Sequence, residues 1–190
     1  MRKTQFAIGE WYHCYNRGVD KRIVYEDEYD YQRFLEQLYL ANNDVPLKRD
    51  DIGIRDFEKI LQIPRDETLV TIGAFCLMPN HFHLVLKEIV DGGITTFMQK
   101  LGTAYTMYFN ARYERTGNLF MKPFRSRHID TDRYFQYLIK YVHCNPAELY
   151  ESKWKAGSVK NFETLVEKLL AYPYSSFGAY ENAKLPIRSI

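Results

Sequence analysis

The sequence predicts an α+β fold of the ferredoxin-like type, an antiparallel sheet with helices packed on it. Three observations support this prediction. The predicted elements follow the order strand, helix, strand, strand, helix, strand, and further helices come after them. The turn at Pro79-Asn80 joins two apolar stretches as an antiparallel hairpin. The chain also lacks the glycine patterns of Rossmann and P-loop proteins, so a parallel nucleotide-binding sheet is not expected.

A strand and an amphipathic helix come first along the chain. Residues 10–27 indicate a strand, a turn at Gly18 and a short extended return. Within residues 28–43, apolar side chains recur at the three- and four-residue spacing of a helix that buries one face. The members of that face are Tyr31, Phe34, Leu35, Leu38 and Tyr39.

A charged segment separates this helix from the hairpin. Residues 44–67 contain two prolines and indicate an insertion with a short helix near residues 55–61. Residues 68–79 are apolar on both faces, which is typical of a central strand. The chain then turns at Pro79-Asn80 into the second strand of the hairpin.

Helices dominate the rest of the chain. One is expected between Gly92 and Gly117, and residues 118–130 indicate a turn and a strand. The next helix begins at residues 130–132, two of which are acidic, and ends before Pro146, because proline cannot continue a helix. Its core stripe is Phe135, Leu138, Ile139 and Val142. A further helix is expected over residues 159–172.

Length and composition indicate one globular domain. The chain has 190 residues, of which 46% are hydrophobic, so we expect a single domain over residues 1–190 with a C-terminal tail from about residue 173. No apolar run reaches the length of a membrane span, and the N-terminus lacks the apolar region of a signal peptide. We therefore expect a cytoplasmic protein with no membrane partner. Three widely spaced cysteines argue against a disulfide framework.

Residues 111–128 interleave aromatic and basic side chains, although the net charge of the whole chain is only +2. This pattern suits a nucleic-acid groove, where cations contact phosphates and rings stack on bases. A solvated basic hairpin explains it equally well at this point. The candidate DNA-binding residues are Arg112, Arg115, Lys122, Arg125 and Arg127.

Two histidines lie in the second strand of the hairpin, in the stretch "MPNHFHLVLK". Side chains alternate along a strand, so His81 and His83 share one face, while Phe82 belongs to the apolar face that packs on a core. Two neighbouring imidazoles can bind a divalent cation. A solvated or hydrogen-bonded pair is the simpler alternative.

Tyr141 and Asn145 are four residues apart, so they lie on one flank of their helix, and Tyr137 is on roughly the same flank. A phenolate can attack phosphorus and form a covalent ester. An amide oxygen such as that of Asn145 is a reasonable third ligand for Mg²⁺ or Mn²⁺. A partly buried tyrosine and an ordinary helix-ending asparagine remain the alternatives.

Five blocks occur together in one order: "WYHCYNRGVDKR", "FCLMPNHFHLVL", "FMQKLGTAYTMYFNARYERTGNLF", "YLIKYVHCNPAEL" and "YPYSSFGAY". In order and spacing they resemble the single-tyrosine transposases that carry a His-hydrophobic-His (HUH) motif. The first and last blocks point to the branch called REP-associated tyrosine transposases. The resemblance spans about residues 10–180.

The resemblance implies a metal-dependent endonuclease and strand transferase that acts on single-stranded DNA at hairpins of repetitive extragenic palindromes (REP). In such enzymes a tyrosine attacks a phosphodiester, leaving a 5′-phosphotyrosine and a free 3′-OH, and rejoining reverses this step. By their places in the blocks, His81 and His83 match the metal pair and Tyr141 matches the nucleophile. Asn145 matches the polar helix residue that completes the Mg²⁺ or Mn²⁺ site.

Two other functions remain open. One is a domesticated protein that binds DNA hairpins with little catalytic activity, and the other is a metal-dependent hydrolase without a covalent step. The resemblance leaves both a monomer and a homodimer open.

Overall fold

Four strands form one sheet at the centre of the protein: β1 (Trp11–Arg17), β2 (Val70–Met78), β3 (His81–Glu88) and β4 (Arg125–Ile129). The structure is a computed structural model, and it describes residues 5–45, 49–54, 56–182 and 190. The strand order is β2-β3-β1-β4, and every neighbouring pair is antiparallel. This is the arrangement of a split βαβ fold, so the predicted α+β, ferredoxin-like fold is confirmed.

Helices connect the strands and cover both faces of the sheet. The seven α-helices of the described residues are α1 (Glu28–Leu40), α2 (Phe57–Ile60), α3 (Gly93–Arg112), α4 (Asp132–Cys144), α5 (Ala147–Tyr150), α6 (Phe162–Leu170) and α7 (Phe177–Glu181). Short 3₁₀ turns lie at Val19–Lys21, Arg49–Asp51 and Trp154–Ala156. None of the helices in the described ranges is both long and apolar enough to cross a membrane.

The core has one layer on each face of the sheet. Alternation along β3 sends Phe82, Leu84 and Leu86 into the larger layer, which α1 and α3 complete. The other face of β3 contributes Val85 to a smaller layer beneath α4. The predicted stripe of α4 faces this smaller layer, where Leu138 and Val142 are buried.

The segment after Gly18 differs from the expected extended return. Val19–Lys21 form a 3₁₀ turn with Asp20 and Lys21 at positive φ. The backbone folds back so closely here that a Cβ on Gly18 would lie 2.4 Å from the Arg22 carbonyl oxygen. Glycine permits this approach because it has no side chain.

The expectation that residues 68–79 form a central strand is wrong, because β2 lies at one end of the sheet order. The sequence of β2 is typical of a central strand because the strand is buried on both faces and its outer edge is also covered. Residues 174–176 pair with that edge: the Leu77 amide donates to the Tyr174 carbonyl at 2.9 Å, and the Ser176 amide to the Phe75 carbonyl at 3.0 Å. The predicted tail from about residue 173 is therefore partly an added strand segment followed by α7.

The charged insertion packs against the end of α1 through its own apolar cluster. Ile60 of the short helix α2 is fully buried against Tyr39 and Leu40. The predicted helix near residues 55–61 is thus observed as Phe57–Ile60, and residue 55 lies outside the described residues. Whether residues 1–190 act as one domain stays a prediction.

Candidate active site

Strand β3 places the two histidines on the sheet face that α4 covers, which we call the histidine face. Tyr15 of β1 lies directly opposite His83, and Arg17 lies opposite His81. In an antiparallel pair, residues in direct register point to the same side. The His81 and His83 rings stand at right angles with centroids 5.1 Å apart.

Helix α4 carries Tyr141 to the same place. The helix is capped by Thr131, whose hydroxyl accepts a hydrogen bond from the Tyr134 amide at 3.2 Å. Because Leu138 and Val142 are buried against the sheet, the flank between them faces the histidines. The Tyr141 ring lies 5.5 Å from the His83 ring, edge to face.

His81 is held as a neutral imidazole with one ring nitrogen exposed to a ligand. The Asn80 amide donates from Nδ2 to the Lys21 carbonyl at 3.2 Å, so its Oδ1 faces His81 and accepts from Nδ1 at 2.7 Å. The proton therefore resides on Nδ1, and the Nε2 lone pair remains. Burial, with Arg17 adding to it, lowers the pKa of His81 to about 4.

His83 has a second histidine as its partner, His13 of β1. His13 Nε2 and His83 Nδ1 lie 2.8 Å apart in a buried hydrogen bond, so one nitrogen donates and the other accepts. When His83 donates from Nδ1, its Nε2 lone pair is available to a metal. Burial lowers the pKa of His13 to about 4, and burial with the His13 charge lowers that of His83 to about 2.

Asn145 follows α4 and is 1% exposed. Both polar atoms of its amide are buried without a hydrogen-bond partner among the described residues. The amide is near enough to His81 to raise the pKa of that imidazole against the effect of burial, yet the geometry falls short of a hydrogen bond. Buried polar groups are normally satisfied, so both atoms can bind a ligand or an ordered water.

The donor set fits a divalent cation. Neutral imidazoles and an amide oxygen are ligands that Mn²⁺ accepts, and Mg²⁺ accepts the oxygen. Within the described residues no group of three or more His, Cys, Asp and Glu side chains is placed to hold a metal, so a site here depends on the amide of Asn145 as its third protein ligand. His81, His83 and Asn145 are the residues that could hold the ion.

The five basic candidates divide into two groups. Arg125 and Arg127 lie in β4 opposite Tyr15 and His13, so both are on the histidine face. The Arg127 guanidinium lies 4.9 Å from the Tyr134 ring centroid. Lys122 is exposed in the loop that leads into β4.

Arg112 and Arg115 lie instead at and just after the end of α3, on the other side of the sheet, where both make contacts within the protein. Arg112 contacts Asp27 at 2.6 Å and the buried Asp30 at 2.8 Å. Arg115 donates to Asn110 Oδ1 at 2.8 Å. The sequence signal, a run of basic and aromatic residues, does not show which arginines already contact other side chains of the protein.

Sequence reasoning missed His13, Tyr15 and Arg17. Their signal was present in the alternation of "WYHCYNR", which places His13, Tyr15 and Arg17 on one face of β1. Only the strand register shows that this face is the one that carries His81 and His83.

The whole fold resembles that of a solved protein, described as a REP-associated tyrosine transposase bound to a REP hairpin. The TM-score is 0.59 with 15% sequence identity, over 98% of this chain and 88% of that one. At this identity the similarity shows a shared fold. A search of curated protein sequences finds no match.

The family model for IS200-like transposases matches residues 47–145, about half of the chain. The protein belongs to this family of transposases. The matched range contains His81, His83, Tyr141 and Asn145. The resemblance to single-tyrosine transposases found in the sequence blocks is thereby confirmed at the level of the family, and the fold is similar to that of the solved REP-associated transposase.

Proposed function

We propose that the protein cleaves and rejoins single-stranded DNA at hairpins, with Tyr141 as the nucleophile and a 5′-phosphotyrosine as the intermediate. One observation carries this proposal: Tyr141 stands edge to face with His83, at 5.5 Å, beside the unsatisfied amide of Asn145. Membership of the IS200-like transposases supports DNA strand transfer as the class of reaction. The solved relative, which is bound to a REP hairpin, supports a hairpin as the substrate.

In the proposed reaction the Tyr141 hydroxyl oxygen forms a bond to phosphorus, and the bond from phosphorus to the 3′ oxygen breaks. The phenol loses its proton in this step, and the departing 3′ oxygen gains one. A free 3′-OH and a covalent DNA–protein ester result. Attack by a 3′-OH on the phosphotyrosine reverses the step and joins the strands without a nucleotide cofactor.

His81, His83 and Asn145 would hold a Mg²⁺ or Mn²⁺ ion. Bound there, the ion would polarise the scissile phosphate and neutralise charge that develops on it. The neutral state of the histidines supports this assignment, since a protonated imidazole has no lone pair to donate. Asn80 and His13 would orient the two rings through their hydrogen bonds to Nδ1.

Among the basic candidates, Arg125 and Arg127 have the location expected for phosphate contacts, because they share the histidine face with Tyr141. Lys122 extends this charge into the preceding loop. Arg112 is less suited to the role because Asp27 and Asp30 already pair with its charge. Arg115 is less suited because it lies on the other side of the sheet, where it donates to Asn110.

The test is the formation of a covalent adduct. Wild-type protein is mixed with Mn²⁺ and a labelled pool of hairpin oligonucleotides that carry randomised single-stranded flanks, and the products are resolved on a denaturing gel. Tyr141→Phe, which removes one oxygen, should lower adduct yield by at least about 10³-fold while DNA binding persists. Tyr29→Phe, at a tyrosine on α1 across the sheet, is the matched control and should retain the adduct.

The outcomes separate the three functions. Binding without an adduct in the wild type would favour a domesticated hairpin-binding protein. Cleavage without an adduct would favour a hydrolase. An adduct in Tyr141→Phe at wild-type yield would move the nucleophile to another tyrosine.

A further inference from the structure

A row of tyrosines extends from Tyr141 along the exposed flank of α4. Tyr134, Tyr137 and Tyr141 follow the spacing of three and then four residues, so they are neighbours on the helix surface. Adjacent rings in the row are nearly parallel, with interplanar angles of 18° and 19° and centroids 6.4 Å apart in each case. Tyr137, in the middle, is 61% exposed.

This row forms one wall of an open recess of about 310 Å³ beside the proposed nucleophile. The opposite wall is the sheet, which contributes Tyr15, His83 and Arg127. The volume lies at the small end of the range for ligand pockets. A ligand in the recess would lie beside both Tyr141 and Tyr137.

The lining of the recess indicates the chemistry of its ligand. Aromatic faces bind planar groups by stacking, and stacking of unpaired bases tolerates any base because each has a π face. Arg127 supplies a cation at the same place, fixed over the Tyr134 ring at 4.9 Å. A planar base attached to a phosphate satisfies both features, since the ring can stack while the phosphate meets the guanidinium.

We propose that this recess binds the base of an unpaired nucleotide next to the scissile phosphate, with Tyr137 as the principal stacking residue. Tyr134 and Arg127 support it. The inference rests on the proposed function, because the base is positioned relative to Tyr141. Stacking at Tyr137 would hold the DNA so that the adjoining phosphate reaches the hydroxyl of Tyr141, one helical turn away.

The proposal requires that affinity depends on bases in the single-stranded part of the substrate. The probe is a DNA hairpin with a thymidine tail of about eight nucleotides, compared with the same hairpin carrying an abasic tail of equal length. Binding is measured by fluorescence anisotropy with the full-length protein. The Tyr141→Phe background is used throughout, so that no covalent product forms.

The Tyr141→Phe protein with Tyr137 intact should bind the thymidine tail more tightly than the abasic tail. Tyr137→Ala should weaken binding of the thymidine tail by about 5- to 150-fold and remove most of the difference between the tails. Tyr137→Phe keeps the ring and should preserve the difference. Tyr29→Ala, which removes a tyrosine that is 75% exposed on α1, should also preserve it.

An unchanged ratio between the two tails in Tyr137→Ala would overturn the proposal. Its failure is distinct from failure of the proposed function, which the adduct assay measures separately. If Tyr141 forms an adduct but Tyr137→Ala leaves the ratio between the two tails unchanged, only the stacking proposal is wrong. If tail affinity depends on the bases but no adduct forms, the proposed nucleophile is wrong and the recess still binds single strands.

Discussion

Two polar clusters lie on opposite sides of the sheet, and they differ in whether their hydrogen-bonding groups are satisfied. Behind the sheet, Asp30 is fully buried and accepts hydrogen bonds from the Tyr108 and Tyr113 hydroxyls, each at 2.9 Å. The Glu26 amide and Arg112 also donate to it, both at 2.8 Å. On the histidine face, the amide of Asn145 is equally buried and has no partner among the described residues.

This difference separates a structural cluster from a candidate functional one. A buried polar network in which every member is paired stabilises one conformation and has no unsatisfied hydrogen-bonding group for a ligand. A buried group left unpaired is destabilising by about 1–3 kcal/mol unless something outside the chain satisfies it. The two clusters therefore make opposite predictions about stability and activity.

The largest expected effect is on the histidine face. His83→Ala removes one proposed ligand, so Mn²⁺ affinity, measured by electron paramagnetic resonance, should fall by more than about 100-fold, and adduct formation should be lost. His13→Phe should lower Mn²⁺ affinity by about 10- to 100-fold, because it removes only the hydrogen bond that orients His83. His13→Gln, which can keep that bond, should recover part of the loss.

His128→Ala serves as the control, since His128 pairs with Glu10 at the surface. Its Mn²⁺ affinity should match that of the wild type. Adduct formation by the wild type at full yield in excess chelator would contradict the metal site.

Arg112→Ala should affect stability rather than DNA binding. It leaves the Asp30 carboxylate buried without its charged partner, which costs about 3 kcal/mol in the free energy of unfolding. Chemical denaturation measures this value. Hairpin affinity of the folded protein, and its dependence on salt, should remain those of the wild type. A shallower salt dependence in Arg112→Ala would restore this residue as a phosphate contact.

Removal of the basic residues on the histidine face should instead change DNA binding and leave stability nearly unchanged. The triple variant Lys122→Ala, Arg125→Ala and Arg127→Ala should keep the unfolding free energy within about 1 kcal/mol, since these side chains are exposed. The slope of log affinity against log salt should become shallower by about 2, at about 0.7 per lost contact with a single strand. An unchanged slope would place the DNA on another surface.

The last effect is confined to acidic pH and concerns a histidine outside the proposed ligand set. Burial lowers the pKa of His143 to about 4 from its ordinary value of 6.5, while its Nε2 lies 2.9 Å from the Ser176 hydroxyl. Between pH 6.5 and 4 the unfolded chain binds a proton that the folded chain does not, so stability falls as pH falls.

His143→Gln cannot titrate, so its unfolding free energy should decline less steeply over this window, by up to about 1.4 kcal/mol per pH unit. Denaturation at a series of pH values measures both slopes. Parallel curves for the two proteins would show that His143 does not contribute.

The fold, and the shared face and flank of the candidate site residues, could be predicted from the sequence because their signals are local. Alternation in "HFHLVLK" places the histidines on one face, and the spacing of Tyr141 and Asn145 places both on one flank of α4. Partners across strands depend on register, which local patterns do not contain, and this is why His13 was missed. The edge position of β2 was mistaken because residues 174–176, a hundred residues away, cover it.

Those same residues 174–176 make the two edges of the sheet unequal. With the edge of β2 occupied, β4 is the other edge strand, and no strand of the described residues pairs with its outer side. Two copies joined through β4 would bring four arginines, Arg125 and Arg127 from each, to one seam. Like charges so close repel, so these arginines disfavour strand-to-strand pairing of two copies at this edge.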